Sequence, residues 1–154
     1  MTTPTLGKKV ATFSIETTGG TFALADARGK SLVLYFYPRD NTPGCTREGA
    51  DFRDLHAGFK RAGAIVLGIS PDSLKAHEKF KAKMEFPFEL GSDPEHVLAT
   101  AFGVWKEKSM YGRKVMGIER STFVINADGK LRHEWRKVKV DGHAAEVLAA
   151  VKSS

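Results

Sequence analysis

The 154-residue chain holds one cysteine, Cys45. A single thiol excludes a disulfide within the chain, and with it a secreted disulfide framework or a Cys-x-x-Cys redox pair. Long apolar runs are missing too, and none approaches the ~20 residues needed to cross a bilayer. The stretch from Met1 to Lys9 lacks the apolar core of a secretory signal, so a cytoplasmic protein is expected. Acidic residues are the minority, 18 against 24 Lys and Arg, for a net charge of +6. The bases are scattered among acids and form no arm or aromatic-spaced stripe, which argues against a specific nucleic-acid surface. The histidines show no ligand spacing, so neither a metal nor another cofactor is expected. Repeats, linkers and low-complexity blocks are also absent, so residues 1–154 read as one domain.

What is present is a regular succession of elements. Thr12–Thr17 alternates as a strand, Thr18-Gly19-Gly20 turns, and Thr21–Leu24 returns. Ser31–Tyr37 and Ala64–Ile69 are continuous apolar runs, as in strands buried on both faces. Between them Phe52, Leu55 and Phe59 share one helical face, with Gly63 at its end. Asp72 or Ser73 caps a helix reaching about Lys83, with Leu74, His77, Phe80 or Lys81, and Met84 in register. Phe88–Leu90 predicts a short strand and Glu95–Phe102 a short helix. Ser109–Gly117, with Trp105 before it, reads as a Gly-rich loop or wall. Glu119–Ile125 is a strand, Asn126–Gly129 a hairpin turn, and Leu131, His133 and Trp135 alternate along the return. Asp141 caps a last helix whose buried face is Ala144, Val147, Leu148 and Val151. This order predicts an α/β protein with a mixed central sheet flanked by helices and an N-terminal β-hairpin, which fits a thioredoxin-like topology.

Cys45 sits where this architecture makes thiols reactive. It follows Pro38-Arg39-Asp40-Asn41-Thr42-Pro43-Gly44, just past the end of a buried strand and in the first turn of a helix. Free N–H groups and the helix dipole favour negative charge there. Thr42, three residues earlier, either caps the helix or turns its hydroxyl toward the sulfur. On placement alone, Cys45 could equally be a small buried hydrophobe. A cysteine hydrolase would need a general-base histidine beside the thiol, and no local signature for one is present.

The string Tyr35-Phe36-Tyr37-Pro38-Arg39-Asp40-Asn41-Thr42-Pro43-Gly44-Cys45-Thr46-Arg47-Glu48 resembles the active-site segment of the peroxiredoxins, in particular the bacterioferritin-comigratory or Q-type subfamily. Asp51–Asp54, Gly68–Asp72 and Glu119–Ile125 resemble further blocks in the same order. The resemblance implies a thioredoxin fold and a thiol peroxidase acting on hydrogen peroxide and organic hydroperoxides in antioxidant defence. Cys45 would be the peroxidatic residue, oxidised to a sulfenic acid. Thr42 would hydrogen-bond the peroxide, and Arg120 would stabilise thiolate and transition-state charge. Pro38 would shield the sulfur, and Glu48 would orient Arg120 or simply face solvent. A monomer is implied.

The chain departs from that pattern in one respect. Many Q-type members carry a resolving cysteine five positions after the first, where this chain has Ala50. Others carry it in the next helix, near Lys81 and Met84 here. Recycling would therefore need an external thiol: thioredoxin, glutaredoxin with glutathione, or another. A natural one-cysteine enzyme and an engineered Ala50 both fit the sequence. A redox sensor on the same fold, passing oxidation to a partner, is the alternative function. Gly49 would weaken the helix by about 1 kcal/mol relative to alanine, which suits a segment that unwinds.

Overall fold

The computed structural model describes residues 3–153. Met1, Thr2 and Ser154 lie outside that range, so the reading of the extreme N-terminus falls partly outside the described residues.

Strand β3 (Ser31–Phe36) shows how the core is built. Leu32, Leu34 and Phe36 face one apolar cluster, and Val33, Tyr35 and the following Tyr37 face another. A strand covered on both faces must be apolar at every position, which explains its uninterrupted sequence. It pairs in parallel with β4 (Ala64–Ser70), which pairs in parallel with β5 (Glu89–Ser92). On its other side runs β8 (Ser121–Ile125), antiparallel, followed by β9 (Leu131–Trp135). The N-terminal hairpin β1 (Ser14–Thr17) and β2 (Gly20–Ala23) completes the sheet, in the order β2-β1-β5-β4-β3-β8-β9.

Helices α1 (Pro43–Arg61), α2 (Leu74–Met84) and α4 (His143–Lys152) supply Phe52, Phe59, Phe80, Val147 and Leu148 to one cluster. The short α3 (Val97–Ala101) packs into the other. Ser73 caps α2, accepting the N–H of Ala76. The expected fold class therefore holds: a thioredoxin-like mixed sheet with helices on both faces and an N-terminal hairpin.

Two expectations need correction. The stretch expected as loop or wall is a hairpin, β6 (Trp105–Met110) and β7 (Arg113–Ile118), outside the main sheet. Tyr111 and Gly112 turn it, with φ of 53° and 78°, the positive values of a two-residue hairpin loop. Its outer half is exposed from Arg113 to Met116, so no apolar alternation marks it. Asp141 does not cap α4. The cap is Gly142, at φ 72°, and Asp141 pairs with Arg47 of α1 instead.

Candidate active site

Cys45 occupies the third position of α1, after Thr42 as N-cap and Pro43 at the first position. Thr42 is extended (φ −98°, ψ 155°) and Pro43 needs no N–H acceptor, so the chain enters the helix without strain. The first helical hydrogen bond runs from the Thr46 N–H to the Thr42 carbonyl, at 2.8 Å. The N–H groups of Gly44 and Cys45 therefore lie in the open first turn, where helices favour anions. The thiol is 2% exposed.

Arg120 comes from the far side of β3. Ser121 pairs with Phe36, so sheet register brings the residue before β8 to the carboxyl end of β3. Its Nη2 donates to the Cys45 sulfur at 3.3 Å and its Nη1 to Glu48 Oε1 at 2.5 Å. A Cβ at Gly44 would lie 3.3 Å from Nη2, so the glycine lets the guanidinium pass closely over the helix start. Glu48 is one turn beyond Cys45 and 1% exposed, so it does not face solvent.

Burial outweighs the attraction of Arg120 at Glu48, pushing its carboxyl up to about 7. Its Oε2 has no hydrogen-bond partner. At Arg120, burial opposes the charge, but attraction to Glu48 and Cys45 wins and raises it.

The remaining sequence candidates lie in the loop rather than on the sulfur. The Thr42 hydroxyl makes no cap and donates to the Arg39 carbonyl at 2.8 Å. Pro38 is half-buried at the loop's start. Cys45, Glu48 and Arg120 are thus bonded together, whereas Thr42 and Pro38 share only the connecting segment.

Three features escaped sequence reading. Lys108, on the β6–β7 hairpin, senses the site: burial and then repulsion by Arg120 lower it, while Glu119 and Cys45 act the other way. His143 accompanies Thr122 at 2.7 Å, and burial, with Arg120, pulls it down to about 4. Asp40, Asp72 and His77 form a cluster whose ligand atoms lie within 4.8 Å of one another. Those atoms already hydrogen-bond to one another or to protein neighbours, so the cluster is a polar network rather than an open metal site. Polar residues spaced through the segment 70–77 were the available signal, but only the fold joins them to Asp40.

A lone thiol at a helix start, hydrogen-bonded by a half-buried arginine on a thioredoxin-like sheet, defines a thiol-based redox protein. Residues 6–134 match the model of the AhpC/TSA family. Peroxiredoxin Bcp of Bacillus subtilis is 55% identical over 87% of this chain and 85% of its own length. The Xanthomonas campestris Peroxiredoxin Bcp is 51% identical over 99% and 98%. A cysteine-to-serine variant of Xylella fastidiosa PrxQ superposes with a TM-score of 0.93, at 43% identity, covering 99% of this chain and 98% of that one. A Xanthomonas campestris bacterioferritin comigratory protein structure, described for its alkyl peroxide reduction activity, gives 0.87 at 51% identity, covering 92% and 90%. The chain belongs to the AhpC/TSA family and is a peroxiredoxin of the Bcp, or Q, type with a single cysteine.

Proposed function

We propose that Cys45 is the peroxidatic residue of this thiol peroxidase and that an external thiol restores it. The observation that carries this is the Arg120 Nη2 donating to the Cys45 sulfur at 3.3 Å, at a helix start. The guanidinium and the helix N-terminus favour the thiolate, which attacks one peroxide oxygen. A sulfur–oxygen bond forms and the O–O bond breaks. The leaving oxygen takes a proton and departs as water or alcohol, and Cys45 becomes a sulfenic acid. Arg120 stabilises the charge developing on the oxygens, and backbone N–H groups of the first turn assist it. Thr42 turns its hydroxyl to the bound peroxide, and Pro38 shields the sulfur. Glu48 orients Arg120.

Two equivalents of external thiol then return the cysteine, releasing water and a disulfide. Thioredoxin, or glutaredoxin with glutathione, has the required chemistry. A monomer in a reducing cytoplasm suits a chain whose one thiol must stay reduced. Among the described residues no helix is long and apolar enough to cross a membrane.

Rapid mixing of reduced protein with peroxide, followed by intact mass and a sulfenic-acid trap, tests this reading. Stoichiometric oxidation far faster than that of a free thiol, with one adduct on Cys45, is expected. An ordinary thiol rate would instead indicate a sensor or scaffold.

A further inference from the structure

Asp40 lies between Pro38 and Thr42, and it is held on three sides. The Tyr37 hydroxyl donates to Oδ1 at 2.6 Å. The Asp40 N–H donates to Asp72 Oδ2 at 2.8 Å. Its Oδ2 lies 2.6 Å from Nδ1 of His77, a fully buried residue of α2. The other ring nitrogen, Nε2, is 2.9 Å from the Gly91 carbonyl of β5. Ser70 Oγ is 3.5 Å from Nε2 and donates its own hydrogen to Asp72 Oδ2 at 2.5 Å.

A carbonyl oxygen can only accept, and so can a carboxylate. With acceptor atoms against both nitrogens, a ring carrying hydrogen on each can donate both to Asp40 and to the Gly91 carbonyl. The groups facing it are Asp40 from the loop, Asp72 from the β4–α2 turn and Tyr37 from the end of β3, whose ring centroid is 6.4 Å away. A second tie runs parallel. Lys83, at the other end of α2, donates to Asn41 Oδ1 at 2.7 Å, and Asn41 sits at φ 60°.

We propose that His77 is a positioning residue for the Cys45 reaction. Anchored on Gly91, its imidazolium clamps Asp40 and so holds the loop from Pro38 to Thr42 in register with the sulfur. This rests on the peroxidase reading above. Buried ion pairs add little net stability, and in some proteins their role is to fix one geometry. Here the geometry fixed is that of the loop carrying Thr42.

The first test is the ¹⁵N spectrum of the histidines in the reduced protein at neutral pH, with His77 assigned by its loss in H77Q. Both His77 nitrogens are expected to be protonated. An unprotonated Nδ1 would overturn the proposal, whatever the kinetics. The second test is the rate constant for Cys45 oxidation by hydrogen peroxide in folded variants. H77Q and D40N are each expected to lower it by about 10- to 100-fold, the scale of a small misplacement of reacting groups. In the D40N/H77Q double variant the two amides can hydrogen-bond each other and the Gly91 carbonyl, so most of the rate should return. A wild-type rate in H77Q, or a folded double variant no faster than the single ones, would refute the clamp. Should wild type itself react like a free thiol, the peroxidase reading fails, while the ¹⁵N result still decides the state of the ring.

Discussion

The Arg120 guanidinium donates to the Cys45 sulfur across a separation of 75 residues, and with its other arm it holds Glu48. One planar group thus satisfies two acceptors on the same helix. A lysine at this position would carry the charge without the fork. R120K is therefore expected to slow Cys45 oxidation by about 100-fold, within the range for loss of a transition-state donor. Stopped-flow oxidation of the reduced protein measures this, and a full wild-type rate would sink the assignment.

Glu48 and His143 make opposite contributions to stability over the same pH range. Burial raises Glu48 from 4.5 to about 7, so the native state holds a proton that the unfolded chain has lost. Its contribution is complete below pH 4.5 and disappears as the pH rises through 7. Burial and Arg120 lower His143 from 6.5 to about 4, so its contribution is complete above 6.5 and disappears as the pH falls toward 4. Each is on the order of 3 kcal/mol. E48Q should leave a protein that weakens steeply in acid, and H143Q one that gains stability from pH 7 to 4.5. Urea unfolding at several pH values separates them, and three parallel profiles would contradict both assignments.

Gly49 is explained by packing more than by helix weakness. A Cβ there would sit 2.5 Å from Phe86 Cζ. That ring is stacked on Phe88 at 4.8 Å and against the edge of Phe80 at 5.1 Å, so it has little freedom to retreat. G49A should destabilise by about 1–3 kcal/mol, the cost of overpacking, despite alanine's better helix propensity. Denaturant unfolding checks the sign. A gain in stability would return Gly49 to the role of simple helix weakener.

With no second cysteine, a sulfenic acid formed on Cys45 as proposed would wait for an external thiol and would be open to a second oxidation. Turnover in excess peroxide with scarce reductant should decline as sulfinic acid accumulates by mass. Linear turnover over many cycles under those conditions would show that something else protects the sulfur.

Much of this protein was legible in its sequence because local patterns suffice for it. Six-residue apolar runs mark strands buried on both faces, and Pro43, Gly44 and the spacing of Phe52, Leu55 and Phe59 mark where α1 begins and what it covers. These are properties of neighbours. The β6–β7 hairpin was hidden for the converse reason, since a two-stranded ribbon exposed along Arg113–Met116 needs no apolar face. Asp141 looked like a cap because its residue type favours one, yet Gly142 took the position and Arg47 took the carboxylate.

The environment of the thiol was decided by tertiary structure. Arg120 reaches Cys45 through the antiparallel register of β8 on β3, and Glu48 is driven toward neutrality by burial that helical spacing alone does not reveal. His77 read as one more residue in the register of α2. It meets Asp40 only because the parallel pairing of β4 with β3 and β5 brings α2 against the end of the sheet. Sequence determines most of the elements and where the sulfur sits, because those depend on near neighbours. Charge, proton positions and reach at the site depend on groups tens of residues away, which only the packed sheet brings together.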